Sequence, residues 1–243
     1  PLVAQAMIDL LNAQITPMVP EYGSLGASGD LAPLAHGALA LLGEGQVFYA
    51  DAWRPAAEAL DAAGLAPISL VEKEGLAVTN GTDAILGMLC LAIDDSERLL
   101  QQADMVTALT VEGLLATDGP FAADLQALRP QPGQAISAAN LRALLHDSPI
   151  VASHKIDDSR VQDAYSVRCT PAVHGAARDT LDHVRRVAGY ELASAIDNPM
   201  VLPDGRVESC GNFHGAPLGF AADFLAIALA EVGAIAERRM DRM

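Results

Sequence analysis

Residues 217–241 read PLGFAADFLAIALAEVGAIAERRMD. Leu218, Ala222, Leu225, Leu229, Val232 and Ala236 recur at alternating steps of four and three, the spacing of a seam along a long helix in a bundle. Phe220, Phe224 and Ile227 add apolar surface on other sides. The segment is therefore expected either as an ordinary core helix or as a subunit interface, not as a solvated surface helix. Helical periods or all-round apolar helix patterns also cover residues 3–15, 31–42, 54–63, 82–116, 140–145 and 171–192, in a chain rich in Ala and Leu with 4% aromatics. The expected class is all-α. One small β-hairpin is expected near 200–209, where Met200, Val201 and Leu202 face Val207, Glu208 and Ser209 across an Asp204-Gly205 turn. The stretch 129–133, RPQPG, reads as a connector.

The 243 residues are 51% hydrophobic with a mean hydropathy of +0.25, enough to fill one large core or two modest ones, which excludes a disordered chain. Net charge is −16, and Arg54 is the only basic residue before Lys73, so no stripe is available to track nucleic-acid phosphates. The best membrane-span candidate in this reading is 31–43, which is bounded by Asp30 and Glu44 and too short; no membrane partner is expected. Cys90, Cys169 and Cys210 are odd in number and lack CxxC spacing, which suits a reducing compartment and the cytoplasm. The six histidines show no metal-ligand spacing, and no nucleotide-binding loop occurs. Pro1 is neither an initiator Met nor a signal-type start, and Met243 falls inside a helical run, so both ends are expected to be cut.

Four strings carry the chemistry. Residues 23–36 read GSLGASGDLAPLAH, whose small residues permit unusual backbone angles, with Asp30 or Ser28 placed to cap the following helix and Pro33 in its first turn. Residues 73–82 read KEGLAVTNGT, where Asn80-Gly81 is a turn and Asn80 or Thr82 a helix cap. In VQDAYSVRC, residues 161–169, Tyr165 and Arg168 share a face if the segment is helical. Arg168 can fork onto a carboxylate or pair at the surface with Asp163 or Asp157. The fourth string has two parts, SAIDNP at 194–199 and GNFHG at 211–215, both connector-like when read alone.

Taken together, in this order, the strings resemble the aromatic amino acid ammonia-lyase family, and within it the histidine-specific branch. The resemblance implies a long-helix bundle of the ammonia-lyase/fumarase-like type. It also implies that Ala27, Ser28 and Gly29 close into a methylidene-imidazolone, with Asp30 assisting and Phe213 packed against the ring. Asn80 resembles the family's asparagine beside the ring and the substrate carboxylate; Gln162 and Tyr165 stand beside substrate and ring, Arg168 takes the carboxylate, and His214 contacts substrate. Asp83 and Ala216 stand where histidine-specific members commonly carry glutamine and glutamate. The implied reaction converts L-histidine to trans-urocanate and ammonia, by an amino adduct or a ring adduct, without metal or nucleotide. The implied assembly is a homotetramer with shared sites.

On this reading residues 1–243 are one core, 1–80 bearing the ring segment and its helices and 81–243 the bundle helices and hairpin. Members of the family are about twice as long, with a tyrosine base and a substrate-binding histidine upstream of Pro1 and an acidic residue beyond Met243; Tyr22 and Tyr49 do not replace that base. Two other readings stay open. One is an incomplete core with a structural or oligomerisation role only. The other is a tyrosine or phenylalanine ammonia-lyase or aminomutase.

Overall fold

The computed structural model describes residues 2–25, 27–156, 158 and 160–243, so Gly26 and Asp157 lie outside the described residues. Helices hold 59% of the chain, and the strands form two small antiparallel sheets. The mostly helical class with a small hairpin is observed. The chain divides into two compact units, one of Pro1–Met88 with Leu192–Pro217 and the other of Leu89–Glu191 with Leu218–Met243.

In the first unit, α1 (Leu2–Asn12) is followed by β1 (Thr16–Pro17), α2 (Leu31–Leu41), β2 (Gln46–Tyr49), β3 (Ala52–Pro55), α3 (Ala56–Ala62) and the single turn α4 (Glu74–Ala77). Strand β2 pairs antiparallel with both β1 and β3, with Thr16 opposite Phe48 and Phe48 opposite Trp53. Alternation along β2 turns Val47 inward, fully buried, while Phe48 meets Trp53 edge-on at 5.5 Å on the outer face. Val47 joins Leu10, Ile15, Ala40, Leu41, Ala56, Ala59 and Leu60 in the core. This three-stranded sheet corrects the expectation of a single hairpin. Its β2–β3 turn is Ala50-Asp51 at φ 49° and 59°, a two-residue geometry that Gly or Asn usually announces. It also moves the start of α3 from residue 54 to Ala56, because Arg54 and Pro55 pair with Val47 and Gln46. The hairpin expected near 200–209 is present as β4 (Met200–Val201) and β5 (Val207–Glu208), with Gly205 at φ 86°.

The second unit holds most of α5 (Asp83–Gly113), α10 (Thr170–Leu192) and α11 (Ala216–Met240), with α6 (Ala123–Ala127), α7 (Pro132–Leu144), α8 (Pro149–Ser153) and α9 (Tyr165–Arg168). Its apolar core includes Val111, Phe121, Leu141, Leu145, Val151 and Val167. Helix α7 begins at Pro132, two turns before the expected residue 140. Pro132 fills the first turn, where no N–H is needed, and the Asp179 carboxylate accepts the Gly133 N–H at 2.8 Å. Gly133 and Gly175 let the backbones of α7 and α10 touch: a Cβ on Gly133 would stand 2.2 Å from the Gly175 carbonyl oxygen, and one on Gly175 2.3 Å from the Gln134 nitrogen.

All six seam positions of α11 are buried or half-buried, whereas Phe220, Phe224 and Ile227 are 64%, 50% and 69% exposed. The membrane candidate is also corrected. The 31–43 stretch forms an 11-residue helix, whereas α11 is the helix long and apolar enough to cross a bilayer by length and composition among the described residues, with 28% of its most apolar window buried.

Candidate active site

The tripeptide at 27–29 sits in a tight loop closed by the Leu25 N–H on the Gly29 carbonyl at 3.0 Å and the Asp30 N–H on the Ser28 carbonyl at 2.9 Å. Gly29 has φ 77°, a backbone angle that favours glycine, and a Cβ there would lie 2.9 Å from the far end of the Ile85 side chain, which would have to shift. The Gly215 N–H donates to the Ala27 carbonyl oxygen at 2.8 Å, joining the GNFHG string to the loop. Ser28 and Asp30 are buried while Ala27 is exposed.

Asp30 does not cap its own helix. Its Oδ2 accepts the Ile85 N–H of α5 at 2.8 Å, placing the carboxyl at that helix's N-terminus. Its other oxygen, Oδ1, is buried without a hydrogen-bond partner among the described residues. Burial pushes the carboxyl above its ordinary value, against the pull of the Ile85 and Ala84 N–H groups.

Asn80 is buried just ahead of α5, with its amide on Asp197 Oδ1 at 3.1 Å and the Asn198 carbonyl at 3.0 Å. Lys73, in the left-handed conformation at φ 71°, pairs with Asp197 Oδ2. The Asn198 side chain in turn accepts the Cys210 N–H at 2.8 Å. The Lys73–Asp197 pair joins two of the strings, and its signal in the sequence is a cation in one turn motif and an anion in the other. Phe213 is half-buried and His214 exposed, the latter accepting the Ala216 N–H on Nδ1 at 3.1 Å.

The ring segment, Asn80, Phe213 and His214 thus share the first unit, whereas Gln162, Tyr165 and Arg168 belong to the second. There the expected shared face exists: the Arg168 guanidinium carbon lies 4.3 Å from the Tyr165 ring centroid, a cation–π contact. Arg168 Nε donates to the Asp163 backbone carbonyl at 3.0 Å. The Asp163 carboxylate is instead taken by the backbone N–H and hydroxyl of Thr117, both at 2.8 Å. Arg160, Gln162, Asp163, Tyr165 and Arg168, among others, line a cavity of about 470 Å³. A second cavity of about 500 Å³ is lined by Tyr165, Cys169, Val173, Ile235 and neighbouring residues.

The chain is 60% identical over 244 aligned positions to the histidine ammonia-lyase of Streptomyces coelicolor, covering all of this chain and 48% of that protein. Its fold superposes on the crystal structure of histidine ammonia-lyase from Trypanosoma cruzi with a TM-score of 0.88 at 39% identity, covering 99% of this chain and 44% of the other. It matches a tyrosine aminomutase from Streptomyces globisporus with a TM-score of 0.90 at 38% identity, covering 99% and 49%. The chain spans about half the length of these relatives. A family profile for aromatic amino acid lyases matches residues 1–243 from end to end, and the chain belongs to that family.

Proposed function

We propose that the protein is an ammonia-lyase that eliminates ammonia from L-histidine to give trans-urocanate, using an electrophile made from Ala27, Ser28 and Gly29. The observation that carries this reading is the loop itself: the Ala27 carbonyl is held by the Gly215 N–H, and Gly29 adopts a left-handed conformation that most side chains would strain. Closure joins the Gly29 nitrogen to the Ala27 carbonyl carbon. The Ala27 oxygen leaves as one water, and the Ser28 hydroxyl leaves with its α-hydrogen as a second. A donor already placed on that oxygen stabilises the negative charge that develops during attack. Asp30, buried one residue on with its carboxyl above its ordinary value, stands next to the tripeptide to assist these dehydrations.

The residues present thus fit a methylidene-imidazolone, which supplies an electron sink that ordinary side chains do not offer. Arg168, held by Asp163 and stacked on Tyr165, binds the substrate carboxylate as a planar fork. Gln162 and Tyr165 flank the amino acid, Asn80 gives it a side-chain amide, Phe213 packs against the ring and His214 meets the imidazole. The uncovered Phe220, Phe224 and Ile227 of α11 support a homotetramer with shared sites. The three free cysteines suit the cytoplasm.

Incubation with L-histidine, followed by the near-ultraviolet absorbance of urocanate, tests the reading. Product from histidine but not from tyrosine or phenylalanine is expected. Cinnamate-type or β-amino acid products would instead favour the other substrates or an aminomutase, and no product from any of the three would contradict an ammonia-lyase.

A further inference from the structure

We infer that Arg239, buried on α11, is a positioning residue for the substrate carboxylate: it holds the one-turn helix α9 by the Ser166 carbonyl and so sets where Arg168 stands. This rests on the function proposed above and adds a residue that does not itself line the Arg168 cavity.

A single turn cannot hold itself, because nucleating a helix costs more than one turn of hydrogen bonds returns. Helix α9 spans Tyr165–Arg168 and ends at the Cys169 cap, and Pro171, second in α10, has no N–H to continue the ladder back into it. The turn therefore depends on what it packs against. Val167 anchors it in the apolar core, a contact without the directionality of a hydrogen bond. The Ser166 carbonyl supplies the directional anchor, accepting Arg239 Nη1 at 3.3 Å and the Thr170 hydroxyl at 3.3 Å. Arg239 Nη1 also donates to Thr170 Oγ1 at 3.2 Å, which closes a triangle across the α9–α10 junction. Arg168 is tied to the same stretch through the Asp163 carbonyl and the Tyr165 ring, so a shift of the turn carries the guanidinium with it.

Arg239 is 2% exposed, whereas its neighbour Arg238 stands at the surface paired with Glu237. A buried guanidinium is costly, and both oxygens it bonds here are neutral. Burial pushes Arg239 below its ordinary value while the Asp104 carboxylate opposes that shift, and the guanidinium stays charged at neutral pH. Asp104 also accepts from His174 and Arg178. Thr170, His174 and Arg178 follow one another at steps of four, so one face of α10 carries both sets of contacts. Arg239 thus fastens the α9 turn to a polar seam inside the second unit. A methionine would fill much of the same space without desolvating a charge, so what the arginine supplies is the direction of its hydrogen bonds.

Calorimetric titration with two ligands tests this: imidazolepropionate, which keeps the carboxylate of histidine and lacks the amine, and histamine, which keeps the amine and lacks the carboxylate. Arg239→Met should weaken imidazolepropionate by roughly tenfold and raise the KM for L-histidine by a similar factor, with histamine affinity and kcat within about twofold of wild type. Arg239→Lys, which keeps the charge, should recover part of the loss. Thr170→Val removes the hydroxyl between Arg239 and Ser166 and should weaken imidazolepropionate by a smaller factor, again sparing histamine. In an Arg168→Lys background Arg239→Met should cost little more, because both changes act on one contact. Equal weakening of the two ligands would overturn the inference, as would a loss that adds in full to that of Arg168→Lys. Urea unfolding identifies any variant that fails to fold; Arg239→Lys and Thr170→Val then decide by the same criteria. A wild-type protein that binds neither ligand nor L-histidine overturns the proposed function and this assignment with it. Wild-type binding of imidazolepropionate that Arg239→Met leaves unchanged overturns this assignment alone.

Discussion

Gly29 shows how narrow the requirement at one residue can be. An alanine there must hold a positive φ and displace Ile85 from a 2.9 Å approach, so Gly29→Ala should cost about 1–3 kcal/mol of stability and stop closure of the tripeptide. Chemical unfolding and intact mass read the two effects separately. Arg168→Lys should leave the mass unchanged and raise the KM for histidine about tenfold or more, because an ammonium cannot reproduce the planar fork; an unchanged KM would remove Arg168 from the carboxylate. Asp30 was legible as a cap, but not as a cap for α5. Local sequence offers its own helix first, and the pairing with Ile85 depends on a contact 55 residues away.

At the scale of elements, the sequence period found the long helices because their seams repeat over several turns, and it found the 200–209 hairpin because Asp-Gly announces the turn. It missed β1–β3, where Ala50-Asp51 carries no such signal and one buried residue, Val47, is too short a pattern to read. The four motif strings named the candidate site residues, whereas the Lys73–Asp197 pairing was hidden by a separation of 124 positions.

Helix packing gives a paired test within α10. Gly175→Ala should lower unfolding stability by about 1–3 kcal/mol through its clash with α7. Gly189→Ala, where nothing lies within 4 Å of the added methyl, should raise it by about 0.5–1 kcal/mol. Equal effects would deny the backbone contact.

Asp104 supplies the pH test. It is 1% exposed and accepts from Ser137, Asn140 at 2.8 Å, His174 at 2.8 Å and Arg178 at 2.7 Å. Burial would raise its pKa, but the His174, Ser137 and Asn140 bonds and the Arg178 charge bring it below the ordinary value. A carboxyl lowered in the fold contributes stability that is fully present above its unfolded pKa and is lost as pH falls through the folded one. Asp104→Asn should therefore destabilise at neutral pH by about 3–5 kcal/mol and flatten the acid limb of the stability curve. An acid limb identical to wild type would show that Asp104 does not set it.

For the whole molecule, the exposed side of α11 and the electrophile-forming loop lead to separate outcomes. Phe224→Glu should lower the mass measured by size-exclusion light scattering while helicity is retained, since Phe224 is half exposed on the isolated chain; an unchanged mass would move the interface elsewhere. The central claim is that Ala27, Ser28 and Gly29 close on themselves, and intact-mass spectrometry addresses it without needing substrate or assembly. The expected result is a wild-type chain two waters lighter than its sequence and a Ser28→Ala chain at full sequence mass. A wild-type chain at full sequence mass would contradict the claim.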